Sequence, residues 1–203
     1  MKIIEFREKN SKITEPISSA YTDYINKGRY GPPREELANK LSQLGWRRAG
    51  SGAFSDVFQN PAKSYVLKVN RDPDPAYQKF VNLAKKFPNK HFAKISDQKV
   101  ITYQKEKFYI YAIEKLFKAN NVIFLVLLAD RVIFYWKKIS KNRTLKSLDF
   151  DQAQQDYLKS HPSFYKALLI LGKADPTGRF LDIHAGNIMQ RKDGTVVIID
   201  PYA

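Results

Sequence analysis

The sequence predicts an α+β fold in two lobes, a β-rich first half and a helical second half, and three observations carry this reading. Short apolar runs separated by turn signals fill residues 45–113. Longer stretches with helical spacing dominate residues 116–170. An Asp-Gly turn between two apolar runs then closes the chain with a hairpin. The chain has 203 residues, 43% of them hydrophobic, which is enough to bury a sizeable core in one compact two-lobed unit. The expected organisation is an N-terminal extension with a helix over residues 1–44, a β-rich lobe over 45–116 and a shortened helical lobe over 117–203.

In the extension, Gly31-Pro32-Pro33 precede the run Arg34–Leu44, where Leu37, Leu41 and Leu44 recur at helical spacing before Gly45. Strands are expected at Trp46–Ala49, Ser55–Phe58 and Ser64–Val69, the last two joined at an Asn60-Pro61 turn. A helix is expected over Pro75–Phe87, with Tyr77, Phe80, Val81 and Ala84 on one face and Pro88 closing it. Strands follow at Val100–Tyr103 and Phe108–Ile113, then helices at Leu148–Leu158 and Ser163–Leu171. The run Val122–Trp136 is interrupted by Asp130 and Arg131 and is too short to span a bilayer. It reads as a buried helix, with Phe134, Tyr135 and Trp136 in the core rather than forming a stacking platform for bases. Ile188–Gln190, a Lys192-Asp193-Gly194 turn and Val196–Ile199 make the closing hairpin.

The 35 basic and 20 acidic side chains leave a net charge of +15. Such a surface attracts polyanions: nucleic acid, acidic proteins or anionic lipid. It is also what a lysine-rich solvated surface looks like. The chain has no cysteine, which excludes disulfides, thiolate zinc sites and cysteine nucleophiles and fits a reducing cytoplasm. Residues Met1–Lys9 carry charges from the second residue on and lack the apolar core of a signal peptide, so no membrane anchor is expected.

Three elements carry candidate chemistry. Gly50-Ser51-Gly52-Ala53-Phe54-Ser55-Asp56-Val57 lies between two expected strands, where glycines let backbone N–H groups approach phosphate oxygens; an ordinary hairpin turn uses the same residues. Lys68, in Val66-Leu67-Lys68-Val69, shares a strand face with Val66 by alternation and could reach the phosphates of a nucleotide. A lysine at a strand edge, pointing to water, is the other reading. The third element is Asp182-Ile183-His184-Ala185-Gly186-Asn187, followed after the hairpin by Ile199-Asp200-Pro201. Phosphoryl transfer needs one carboxylate to take the proton of the attacking hydroxyl, and an Asn plus an Asp to hold Mg²⁺ on the phosphates. Turn capping accounts for each of these residues singly but not for the ordered set.

This order of glycine loop, strand lysine, Asp-x-x-x-x-Asn and strand-end Asp resembles the protein kinase superfamily. The wording of Asp182–Met189 with Ile199-Asp200-Pro201 is similar to its atypical members, the aminoglycoside and choline phosphotransferases, which share an Asp-x-His-x-Gly-Asn pattern. The segments Gly50–Phe58, Val66–Val69, Ala76–Phe80 and Leu181–Pro201 also resemble the early serine/threonine protein kinases of lytic bacteriophages, which act in the host cytoplasm. The resemblance implies ATP and Mg²⁺ as cofactors. Gly50, Ser51, Gly52, Ala53, Phe54, Ser55 and Val57 would cover the nucleotide, and Lys68 would pair with its α/β-phosphates. Glu114 and Leu116 would flank the hinge that meets adenine. Asp182 would be the base, and Asn187 and Asp200 would hold the metal. His184 would hydrogen-bond within the catalytic loop, while His91 and His161, without metal-ligand spacing, read as structural or surface residues.

The pattern also departs from that family. The Pro75–Phe87 helix has no acidic residue to hold Lys68, leaving Gln78, Asp72 or Asp74 as candidates. Asp-Pro replaces Asp-Phe-Gly, and with three residues after Asp200 no activation loop is expected in this sequence. Substrate docking would then fall to Phe117–Phe180, the N-terminal segment or another chain. The expected function is a serine/threonine protein kinase acting on acidic or nucleic-acid-associated partner proteins. A small-molecule phosphotransferase is the second reading, and a pseudokinase or basic binding protein acting by contact is the third; direct nucleic-acid binding fits the charge.

Overall fold

A computed structural model describes residues 39, 41–52, 55–70, 74–103, 106–139, 150–175 and 181–202. The N-terminal extension lies almost wholly outside them, as do Ala53, Phe54 and Asp72. Leu41–Gln43 are helical, and Gly45 ends that turn at φ +82°, where a Cβ would be strained. The α+β class holds: strands fill the first part, helices the second, and a hairpin closes the chain. The chain divides into two compact units, Met1–Asp74 with Lys94–Lys115, and Pro75–Ala93 with Leu116–Ala203.

Among the described residues, the first unit holds a five-stranded antiparallel sheet. Its strands are β1 (Arg47–Ser51), β2 (Ser55–Gln59), β3 (Tyr65–Asn70), β4 (Ile95–Tyr103) and β5 (Glu106–Glu114), in the spatial order β1-β2-β3-β5-β4. All five strands were expected, and β4 starts five residues earlier than its Val-Ile-Thr-Tyr core suggests. The turn into β3 is built by Asn60, whose side-chain oxygen accepts from the Ala62 N–H at 2.9 Å. One sheet face buries Phe58, Tyr65, Leu67, Val69, Ile110 and Ala112, with Trp46 tilted against Tyr65 at 5.6 Å. Burial pushes the Tyr65 hydroxyl up to about 12.

Among the described residues, the second unit holds four helices: α1 (Pro75–Lys86), α2 (Val122–Ile139), α3 (Gln152–Ser160) and α4 (Pro162–Ala174). It also holds a three-stranded sheet in the order β6 (Phe117–Lys118), β7 (Ile188–Gln190), β8 (Val196–Ile198). Helix α3 is capped by Asp151, whose carboxylate accepts from the Gln154 N–H at 2.8 Å; its expected start at Leu148 lies outside the described residues. Pro162 opens α4 where its missing N–H costs nothing. Gly194 turns the β7–β8 hairpin at φ +81°.

Two expectations change here. The helix α1, expected inside the 45–116 lobe, groups with the second unit. Phe80 meets Phe92 edge-on at 5.7 Å, Phe92 forms a parallel bridge to Ile198, and the Ala93 N–H donates to the Ile198 carbonyl at 3.1 Å. The apolar run in α2 is not buried all round. Leu125, Leu128, Ala129, Val132 and Ile133 are in the core, whereas Ile123, Leu127 and Phe134 are 73%, 56% and 74% exposed. Phe134 is therefore a surface residue, because a helix buries one stripe and this sequence is apolar beyond it.

Candidate functional site

The closing hairpin gathers Asp182, Asn187 and Asp200 through main-chain bonds. The Asp182 N–H donates to the Pro201 carbonyl at 2.9 Å, and the Ile199 N–H donates to the Asn187 carbonyl at 3.1 Å. Asp200 sits between these two ties, and an antiparallel bridge between Leu181 and Tyr202 extends them. The Asn187 amide then donates to the Asp182 carbonyl at 2.7 Å. That bond uses the NH₂ side of a nearly buried amide and leaves Oδ1 as the acceptor atom.

The loop between Asp182 and Asn187 is held by His184. Its Nδ1 accepts from the Gly186 N–H at 3.0 Å, so Nδ1 is unprotonated and a neutral ring carries its hydrogen on Nε2. Nε2 lies 3.6 Å from Asp182 Oδ2, and both side chains are about half exposed. This is the in-loop role expected for His184. Gly186 gives the ring its room: a Cβ there would lie 2.8 Å from Cε1 and 3.1 Å from Nδ1 of His184, so the imidazole would have to shift.

In the first unit, the register sorts the remaining candidates by face. Gly50 pairs with Val57, Val57 with Lys68, and Lys68 with Tyr111, so these residues share one side of the sheet. Lys68 is on an interior strand and 6% exposed, which removes the reading of a lysine on an edge pointing to water. Asn70, two residues on and on the same face, is fully buried. Its amide donates to Asp74 at 3.0 Å and its Oδ1 has no partner among the described residues. That orphan acceptor suits a donor or a cation rather than a phosphate oxygen. Ser51 belongs to the opposite face, where its hydroxyl donates to the buried Asp56 carboxylate at 2.6 Å. The hairpin closes through Gly52 N–H to Ser55 carbonyl at 2.8 Å. Neither Gly50 nor Gly52 has a positive φ, and a Cβ at either would meet nothing closer than 3.7 Å. The fold itself does not require these two glycines.

Glu114 ends β5 in a reciprocal pair with Lys94: its N–H donates to the Lys94 carbonyl at 3.0 Å, and its carboxylate accepts the Lys94 N–H at 2.8 Å. Leu116, half-buried, begins the next segment of the second unit. Of the candidates to hold Lys68, Gln78 donates to Asn82 at 3.1 Å and Asp74 accepts from Asn70. The acceptors of Asn187 and Asp200 are hard oxygens, the donor type that Mg²⁺ takes, with the other positions left to water and phosphate. Among the described residues, no three His, Asp or Glu side chains cluster to hold a metal alone.

Sequence reasoning missed Tyr202. Its buried hydroxyl donates to the Leu171 carbonyl at 3.1 Å, and Lys79 of α1 lies 4.9 Å above its ring. Burial, and then the Asp175 carboxylate, raises the phenol well above its usual pKa. An aromatic two residues after Asp200 was the available signal. Compared with known proteins, the chain matches no protein-family model and no curated sequence. No helix among the described residues is long and apolar enough to cross a membrane.

Proposed function

We propose that the chain is an ATP- and Mg²⁺-dependent phosphotransferase with a two-lobed, protein-kinase-like catalytic core, acting on serine or threonine hydroxyls of partner proteins. The observation that carries this reading is the main-chain ladder that holds Asp182, Asn187 and Asp200 on two adjacent segments. In it, Asp182 accepts the proton of the attacking hydroxyl, which raises the oxygen's nucleophilicity as the bond to phosphorus forms. His184 and Gly186 fix the loop that carries Asp182. Asn187 Oδ1 and the Asp200 carboxylate would hold the cation, which would supply charge neutralisation on the phosphates. Lys68, buried on the sheet face it shares with Gly50 and Val57, would supply an ammonium for the phosphates. The glycines at 50 and 52, which the fold does not demand, leave the backbone open to close approach by an anion.

The test is incubation of the full chain with γ-labelled ATP and Mg²⁺, alone and with cytoplasmic extract, beside Asp182→Ala. Label on protein that falls by about a thousandfold in the variant is expected, the loss typical of removing a catalytic base together with its orienting role. Mg-ATP binding with no label on protein would move the acceptor to a small molecule. Neither label nor nucleotide binding would reject the enzyme and leave a protein acting by contact.

A further inference from the structure

Helix α1 and the turn after it, Pro75–Ala93, contain four lysines and no acidic residue. Lys85 and Lys86 stand in the last turn of α1, where the helix dipole favours cations. Lys90 follows in the turn. The Arg191 guanidinium donates to the Lys90 carbonyl and to the Phe92 carbonyl, at 3.4 Å for the second, which fixes the β7–β8 turn and its Lys192 beside Lys90. Lys85, Lys86, Lys90 and Lys192 are exposed, and none of the four has a salt-bridge partner among the described residues. The acid of that turn, Asp193, is occupied in capping: its carboxylate accepts the Thr195 N–H at 2.9 Å. The field reaches inward to His91. Burial lowers its pKa, a bond to the Val196 carbonyl opposes this, and Lys90, Arg191 and His161 lower it further.

Amid these cations Phe87 is 43% exposed, with the Lys86 ammonium 5.5 Å from its ring centroid. Charge alone would suffice to hold an acidic peptide or a duplex and calls for no exposed ring. Unstacked bases do: a cationic groove tracks the phosphates while an aromatic face takes a base. We propose that this face, formed by Lys85, Lys86, Phe87, Lys90 and Lys192, binds single-stranded nucleic acid. The site belongs to the second unit alone and stands independently of the phosphotransferase reading.

Fluorescence anisotropy tests it, with the full chain titrated into a labelled oligothymidine of about 20 nucleotides, long enough to cover one such site. Between about 50 and 200 mM salt, log K should fall against log salt with a slope of about −2 to −3, roughly 0.7 for each phosphate neutralised. The variant K85E/K86E/K90E should weaken binding more than about tenfold and flatten that slope. Phe87→Ala should weaken it about five- to a hundredfold at unchanged slope, as lost stacking requires. The variant K118E/K166E/K173E makes the same charge change elsewhere on the second unit and should keep most of the affinity. Equal losses in the two triple variants would assign binding to bulk charge and overturn the proposal. So would an unaffected Phe87→Ala, and polyglutamate competing as well as the oligomer would replace nucleic acid with an acidic protein. Should circular dichroism find K85E/K86E/K90E unfolded, the milder K85Q/K90Q pair takes its place, and unchanged affinity in that pair rejects the site.

Discussion

A methyl group at Gly186 would press on the ring of His184 at 2.8 Å, while one at Gly50 would meet open space. Two glycines in motif-like segments thus answer to different demands. Gly186→Ala should displace the imidazole and lose the bond from the 186 N–H to Nδ1, loosening the loop between Asp182 and Asn187. If that loop is catalytic, kcat should fall at least about tenfold, the scale on which misplacement of a reacting group acts. The midpoint of thermal unfolding should drop only a few degrees, since the loop is exposed and such a change costs about 1 kcal/mol. Gly50→Ala should behave in the opposite way. Its backbone geometry accepts Ala, so stability should hold or rise by about 0.4–1 kcal/mol through a less flexible unfolded chain. Its KM for ATP should rise if the backbone there meets phosphate, and an unchanged KM would leave Gly50 as an ordinary turn residue. His184, Gly186 and Asn187 were legible in the sequence as a set of types. What it could not supply was the approach of the His184 ring to position 186, which leaves no room for a Cβ unless the ring shifts.

At the scale of elements, legibility followed periodicity. Strand β2 alternates cleanly between half-buried and buried positions, and α1 places Tyr77, Phe80 and Val81 on one fully buried stripe, so both patterns could be read directly. Strand β6 could not be: Phe117 and Lys118 are extended only because they pair with Gln190 and Met189, a contact more than seventy positions away in the chain. Nor could the buried side of α2, whose apolar residues run round the helix. Its packing is set instead by Gly172 on α4, where a Cβ would lie 2.8 Å from Cβ and Cγ of Trp136. The two helices approach closely because position 172 has no side chain. Gly172→Ala should therefore overpack this contact and destabilise the fold by about 1–3 kcal/mol, despite the better helix propensity of alanine. The double variant with Trp136→Ala, which removes Cγ and the ring and keeps only Cβ, should lose less than the sum of the two single losses. A denaturation midpoint for Gly172→Ala equal to that of the parent would mean that the two helices move apart at no cost.

Across the whole molecule, stability should depend on pH through His91, which is 4% exposed. Its Nδ1 lies 2.7 Å from the Val196 carbonyl, which can only accept, so Nδ1 carries the hydrogen. Its Nε2, 2.9 Å from Ser163 Oγ, then accepts from that hydroxyl, and the ring is neutral. A second proton would face burial and the charges of Lys90, Arg191 and His161, which together hold the folded-state pKa below the ordinary value of 6.5. Between that lowered pKa and 6.5, the unfolded chain binds a proton that the folded chain refuses. Stability therefore rises with pH through this window. The contribution is complete above about pH 6.5 and is lost as pH falls through the folded-state value. The thermal midpoint of the protein should be level near neutrality and should decline from about pH 6.5 downward, before the carboxylates begin to titrate near pH 4. In His91→Gln the midpoint at neutral pH should be lower, because a buried link between α4 and β8 is lost, and the slope below about pH 6.5 should flatten. Parallel profiles in the two proteins would mean that the acid sensitivity comes from elsewhere. A flattened slope would show that the neutral His91, wedged between Ser163 and Val196, sets the acid limit of this fold.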